Sequence, residues 1–163
     1  MIYVSKFRFL TFKKKKYKCA IGKLGLTNNK QEGDYKTPKG YFKIIKIFYR
    51  ADRIKKIQCA IPLIKIRKTM GWCDDSRSIQ YNKLIKYPFN YGAEKLFRKD
   101  HLYDLICVLN YNLVKTKKNK GSAIFIHVSK KNYQHTKGCI ALQKKHLIEI
   151  LSKMNGSEKI KIG

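Results

Sequence analysis

The sequence predicts a mainly β domain, a sandwich or barrel-like pair of sheets, with one amphipathic helix near the C-terminus. Three observations lead there. Short runs rich in β-branched and aromatic residues recur along the chain, loops of Lys, Asn, Gly and Asp separate them, and only Gln143 to Met154 shows a helical period. With 163 residues and 44% hydrophobic content, the chain reads as a single domain, 1–163, able to bury a sizeable core. It has no internal repeat and no low-complexity linker.

Ile2, Val4, Phe7 and Phe9 alternate with polar positions, so 2–12 reads as a first strand. Lys13–Lys16 reads as a solvated turn into a partner strand, Tyr17 to Ile21. Leu26 to Lys39 is an irregular loop in which Gly33 and Gly40 serve backbone shape and Asp34 and Thr37 form local ties. Tyr41 to Tyr49 has the composition of a strong strand. Residues 57–66 are apolar around Pro62, which favours an edge or broken strand. Residues 93–99 suggest one or two helical turns, and Leu102 to Tyr111 a strand beside Ser122 to Val128.

In Ser122 to Val128 alternation places Ala123, Phe125 and His127 on one face and Ile124, Ile126 and Val128 on the other. Both faces are apolar, as in a strand covered on both sides. Leu147, Ile148, Leu151 and Met154 share one face of the helix, Asn155-Gly156 would cap it, and Lys159 to Ile162 is a last strand.

The formal charge is +28, from 38 basic residues against ten acidic ones. Affinity for polyanions follows, nucleic acid included, but non-specifically and at low salt. Only six of the 38 are Arg, and Lys is the poorer residue for bidentate recognition of phosphate or bases. A basic polyanion-binding module is therefore the lesser reading. No run of 18 apolar residues is present, so no membrane span is predicted. The first eighteen residues, interrupted by Lys6 and Arg8, do not read as a secretory signal.

The five cysteines form no CxxC pair, which argues against a zinc ribbon, and the odd count suits one reactive thiol. A zinc site from His127, His135 and Cys139 would lack a fourth ligand, so no metal and no other cofactor is expected.

The chemistry concentrates in Gly121 to Leu142. Thr136-Lys137-Gly138-Cys139 tightens the chain after a polar loop and presents a cysteine beside the strand that carries His127. A thiolate is the reactive form, and a cationic partner lowers a thiol pKa from about 8.5 to roughly 3.5–7.5. His127 would take the thiol proton and return it to a leaving amine, and the Cys139 N–H would hold an oxyanion. Thr136 would hold the turn or the histidine. The competing reading is a core histidine and a buried structural cysteine.

Half of the ten acids, Asp74, Asp75, Glu94, Asp100 and Asp104, fall within 74–104, next to the only tryptophan, Trp72. They either neutralise nearby lysines or form a pocket wall for the free amine of a peptide. In that second case Trp72 and Tyr81 supply flat apolar contact, and Asp74, Asp75, Glu94 and Lys137 line the pocket.

His127 followed by Thr136-Lys137-Gly138-Cys139-Ile140 resembles the catalytic motif of the YkuD-type L,D-transpeptidases, cysteine enzymes that cross-link peptidoglycan. Glu32-Gly33-Asp34-Tyr35-Lys36-Thr37-Pro38-Lys39-Gly40-Tyr41-Phe42 is similar to a second block of that family. Tyr49 to Arg53, Gly71 to Asp75, Tyr81-Asn82 and Ala93 to Asp104 resemble one branch of it. The likeness runs from about residue 17 to 151. It departs in three places: Lys137 replaces a His before Gly138, Ala141 replaces a frequent Arg or Asn, and His127 lies closer to Cys139 than in most members.

The resemblance implies a cysteine acyltransferase with Cys139 as nucleophile, His127 as base, and Gly138 and Thr136 shaping the turn. It implies peptidoglycan stem peptides as substrates, acylation by carbapenems, and a place in the periplasm or cell envelope, while the lack of a readable secretory signal keeps a cytoplasmic place open. Water in place of an acceptor amine would make the same site an L,D-carboxypeptidase or endopeptidase acting on wall fragments.

Overall fold

The computed structural model describes residues 1–55 and 57–163. The chain opens with β1 (Ile2–Val4), β2 (Phe9–Phe12) and β3 (Lys15–Lys18), followed by a loop with two-residue strands β4 (Leu26–Thr27) and β5 (Thr37–Pro38). Next come β6 (Gly40–Phe42), β7 (Ile44–Tyr49), β8 (Leu63–Lys65), β9 (Met70–Cys73), β10 (Leu84–Lys86) and β11 (Ala93–Lys95). The C-terminal third holds β12 (Leu105–Leu109), β13 (Phe125–Val128), β14 (Ile140–Leu142), α1 (Lys144–Lys153) and β15 (Ile160–Ile162).

Two five-stranded sheets dominate, ordered β3-β2-β1-β15-β6 and β14-β13-β12-β7-β8, with a three-stranded sheet β10-β9-β11 beside them. The expected β architecture with one C-terminal helix is therefore present. One core fills the space between the large sheets and α1, from Ile2, Leu10, Ile47, Ile126, Leu142, Leu147 and their neighbours. A second core lies on the opposite face of the β13 sheet, from Phe48, Trp72, Leu96, Ile106 and Phe125. This double cover explains why β12 and β13 are buried at every position. The two faces of β13 divide as alternation predicts: Ile124, Ile126 and Val128 enter the first core, Ala123 and Phe125 the second.

Several expected elements are corrected. Residues 2–12 form two strands because Arg8, at φ +66, turns back onto Ser5. Lys15 and Lys16 belong to β3; the turn is only Lys13-Lys14, both with positive φ as a two-residue hairpin requires. The strand expected over 41–49 divides at Lys43, where β6 joins one large sheet and β7 the other. Asn110 holds that corner, accepting from the Lys43 N–H at 2.9 Å and donating its own N–H to the Lys43 carbonyl at 3.1 Å.

The helical turns expected over 93–99 are absent. Ala93–Lys95 pairs with Met70–Cys73, and Leu96 is fully buried, so tertiary pairing overrides local helix propensity. Met154 is already extended at the end of α1, which puts Asn155-Gly156 outside the helix rather than at its cap. The edge strand near Pro62 is found as β8, though Lys56 just before the expected run lies outside the described residues.

Candidate active site

Strands β13 and β14 run parallel, with Ile126 opposite Ile140 and His127 opposite Ala141. That register brings Cys139, the residue before β14, alongside Phe125. The Phe125 N–H donates to Cys139 Sγ (3.4 Å), and the thiol donates to the Ala123 carbonyl (3.0 Å). Ala123 has φ +51, a conformation unusual for a residue with a side chain. Its N–H donates to Asn82 Oδ1, which also accepts the indole N–H of Trp72, each at 3.0 Å.

The turn before the cysteine is held from two sides. Thr136 Oγ1 donates to the Cys139 carbonyl (2.6 Å) and accepts from the Gly138 N–H (3.1 Å). Gly138 has φ +143, and a Cβ there would lie 2.9 Å from the Lys36 carbonyl oxygen, so conformation and space both demand glycine. Thr136 thus ties the turn and not the histidine. Because the Thr136 hydroxyl occupies the Gly138 N–H, that amide is not available to an oxyanion.

His127 is buried, with Nδ1 2.8 Å from the Val128 carbonyl. A carbonyl only accepts, so Nδ1 carries the proton and Nε2 presents its lone pair. The Tyr103 ring meets the imidazole edge-on at 5.4 Å between centroids, and the Tyr103 hydroxyl donates to Glu94 Oε2 at 2.6 Å.

Burial pushes the His127 pKa down to about 4. Burial, and then the charge of Glu94, pushes the Cys139 thiol up to about 12, against the opposing charge of Lys30. The resting pair is therefore neutral thiol and neutral imidazole. This corrects the expectation of a thiol lowered by a cationic neighbour. The desolvation of both groups outweighs the attraction that would separate charge.

Cys139 stands at the waist between two hollows. One, of about 410 Å³, is lined by Glu32, Asp74, Asp75, Glu94, Ser122 and the backbone near Ala123 and Gly138. The other, of about 290 Å³, is lined by Arg98, Tyr103, His127, Lys130, His135 and Thr136. Glu94 and Lys137 line both. A larger hollow of about 550 Å³ lies further along the surface, walled by cations around Phe97, and shares only Arg98 with this groove.

The sequence-predicted residues divide accordingly. Cys139, His127, Gly138, Thr136, Asp74, Asp75, Glu94 and Lys137 come together. Trp72 and Tyr81 do not reach the groove: they are 3% and 2% exposed. Trp72 packs edge-on against Phe125 at 5.2 Å, buttressing the strand beside Cys139. The Tyr81 hydroxyl donates to Glu32 and orients that carboxylate. Asp100 pairs with Arg98, and Asp104 is fully buried against Arg53 and Lys144.

Sequence reasoning missed Glu32, Ser122, Tyr103 and Lys30 as parts of the site. Glu32 and Tyr103 sit inside segments already singled out. Lys30 gave no sign, yet it is buried, salt-bridged to Asp34 at 2.6 Å, with its stem 3.6 Å from where a Gly138 Cβ would stand. Asp34 and Thr37 serve as the local ties expected of them, Asp34 to the 31 and 36 amides and Thr37 to the Gly22 N–H.

The family model of the L,D-transpeptidase catalytic domain, YkuD, matches residues 2–162. No curated protein matches the chain.

Proposed function

The chain belongs to the YkuD family of L,D-transpeptidase catalytic domains, and from that premise we propose that it transfers acyl groups between peptidoglycan stem peptides through Cys139 and His127. The observation that carries this reading is the parallel pairing of β13 and β14, with His127 Nδ1 committed to Val128 and the Cys139 sulfur at the waist of one groove.

The Cys139 sulfur attacks the carbonyl carbon of the donor's L,D-peptide bond while His127 Nε2 takes the thiol proton. The Cys139 N–H stabilises the oxyanion, an effect worth on the order of 10²–10³ in rate. Collapse expels the terminal D-residue, whose amine receives the proton back from His127, and leaves a thioester on Cys139. An acceptor amine then attacks the thioester, forming the cross-linking amide and restoring the thiol. Water in that step gives the L,D-carboxypeptidase or endopeptidase reaction instead. A cell-envelope site of action is part of this proposal and rests on the substrate polymer alone.

Intact-mass labelling with a carbapenem tests the reading. One acyl adduct is expected on the wild type, none on Cys139→Ala, and slowed formation on His127→Ala. A folded wild type that takes no adduct, or a Cys139→Ala variant that does, overturns it. Muropeptide assays then separate cross-linking from hydrolysis. A polyanion-binding role would survive Cys139→Ala unchanged.

A further inference from the structure

Tyr81 orients Glu32, but the residue after it reaches towards the sulfur. Asn82 is 1% exposed and stands at φ +59. Its side chain uses every polar position it has. Oδ1 accepts the Trp72 indole N–H and the Ala123 N–H, each at 3.0 Å. Nδ2 donates to the carbonyls of Tyr111 at 3.2 Å and Asn112 at 2.8 Å. Two N–H groups on one side and two carbonyls on the other leave the amide a single orientation. Asn82 thereby joins β9, the segment after β12 and the segment that leads into β13.

Ala123 is the partner that is itself bonded to the candidate nucleophile. It stands at φ +51, a left-handed conformation that residues with a Cβ disfavour. In that conformation its N–H meets Asn82 and its carbonyl accepts the Cys139 thiol at 3.0 Å. The Phe125 N–H reaches the same sulfur at 3.4 Å, so Sγ is held between an acceptor and a donor two residues apart. An extended backbone at residue 123 would turn the carbonyl away and leave one of these two bonds. A strained residue, held by a saturated buried amide and one bond from the sulfur, is a device for position.

We propose that Asn82 is a positioning residue for Cys139: by holding Ala123 left-handed, it keeps the thiol on the Ala123 carbonyl and aims the sulfur into the groove. Asn82 acts through Ala123 and touches no substrate. A hydrogen bond donated by the neutral thiol favours the neutral form, so this grip adds to burial in restraining idle reaction of the sulfur. That the aim serves attack on an acyl carbon rests on the acyl-transfer reading. The grip on the thiol does not.

The test compares two rates at Cys139 at pH 8, alkylation by iodoacetamide and acylation by a carbapenem, each read by mass at that residue. Asn82→Gly removes the side chain while suiting φ +59. The released thiol should alkylate at least ten-fold faster. The ratio of acylation to alkylation, which does not depend on how much thiolate is present, should fall at least ten-fold. Trp72→Phe removes a different bond of the same amide and loosens the same wall, so it should leave both rates at their wild-type values. Asn82→Asp keeps an oxygen for both N–H groups and should keep the wild-type ratio; it can be read by itself if Asn82→Gly does not fold. Wild-type rates in Asn82→Gly, equal acceleration in Trp72→Phe, or a fallen ratio in Asn82→Asp overturns the proposal. A wild type that alkylates but takes no carbapenem overturns the acyl-transfer reading instead, and alkylation still reads the grip of Asn82.

Discussion

The thiol of Cys139 donates to the carbonyl oxygen of Ala123 at 3.0 Å, and Ala123 offers that carbonyl from a left-handed backbone conformation held by Asn82. The candidate nucleophile is thus held as a hydrogen-bonded thiol in a desolvated site. On the proposed acyl-transfer reading, the sulfur leaves Ala123 and gives its proton to His127 as the substrate enters.

A neutral resting thiol has a spectroscopic consequence. Thiolate absorbance near 240 nm, taken as wild type minus Cys139→Ala, should be absent from pH 5 to 8 and grow only towards the pKa of about 12. A difference signal that titrates below pH 7 would instead indicate a preformed thiolate–imidazolium pair.

His127 makes the fold acid-sensitive. Its pKa is about 4 when folded and 6.5 when exposed, so the unfolded chain binds the extra proton first. Stability from this group is complete above pH 6.5 and falls as the pH drops towards 4, by up to about 3 kcal/mol at 1.36 kcal/mol per unit. Denaturant midpoints measured across this range should fall less steeply for His127→Phe than for the wild type.

Gly138→Ala should fail on two counts, the φ of +143 and the approach to the Lys36 carbonyl. A strained position of this kind costs on the order of 1–3 kcal/mol. A lower Tm, together with loss of carbapenem adduct on the protein that remains folded, is the expected outcome; wild-type labelling would show that the turn tolerates a side chain.

Thr136 is bonded at both ends of the turn, so Thr136→Val removes two hydrogen bonds at about 0.5–1.5 kcal/mol each. Labelling should slow with it, because the Cys139 amide is no longer held in place. Thr136→Ser keeps the hydroxyl and should restore the rate. Equal slowing in both variants would count against the hydroxyl.

Trp72→Phe separates a buttress from a substrate contact. Loss of the indole bond to Asn82 and of packing on Phe125 should cost about 1–3 kcal/mol and lower the Tm by several degrees. Carbapenem labelling by the folded protein should be unchanged. A raised KM for a stem peptide at unaltered Tm would return Trp72 to the substrate surface.

Much of this was legible because it follows from local chemistry. The alternation in 122–128 assigned both faces of β13 before any neighbour was known. The Gly-Cys turn pointed to a candidate nucleophile, and the histidine on a strand to a candidate base, and both line one hollow. Segment 93–99 was misread because its residues suit a helix in isolation, and only pairing with β9 makes it a strand. The break at Lys43 was hidden for a similar reason: an apolar run does not record which sheet each half will join.

The sequence alone determined the β class and the C-terminal helix and singled out Cys139 and His127 as the candidate pair, since periodicity and residue chemistry are properties of short segments. Tertiary structure decided the rest, because burial and electrostatics depend on what the fold brings near. It set both groups neutral by desolvation and withdrew Trp72 and Tyr81 into the wall. It also gathered Glu32, Asp74 and Glu94, from three distant segments, on one side of the sulfur.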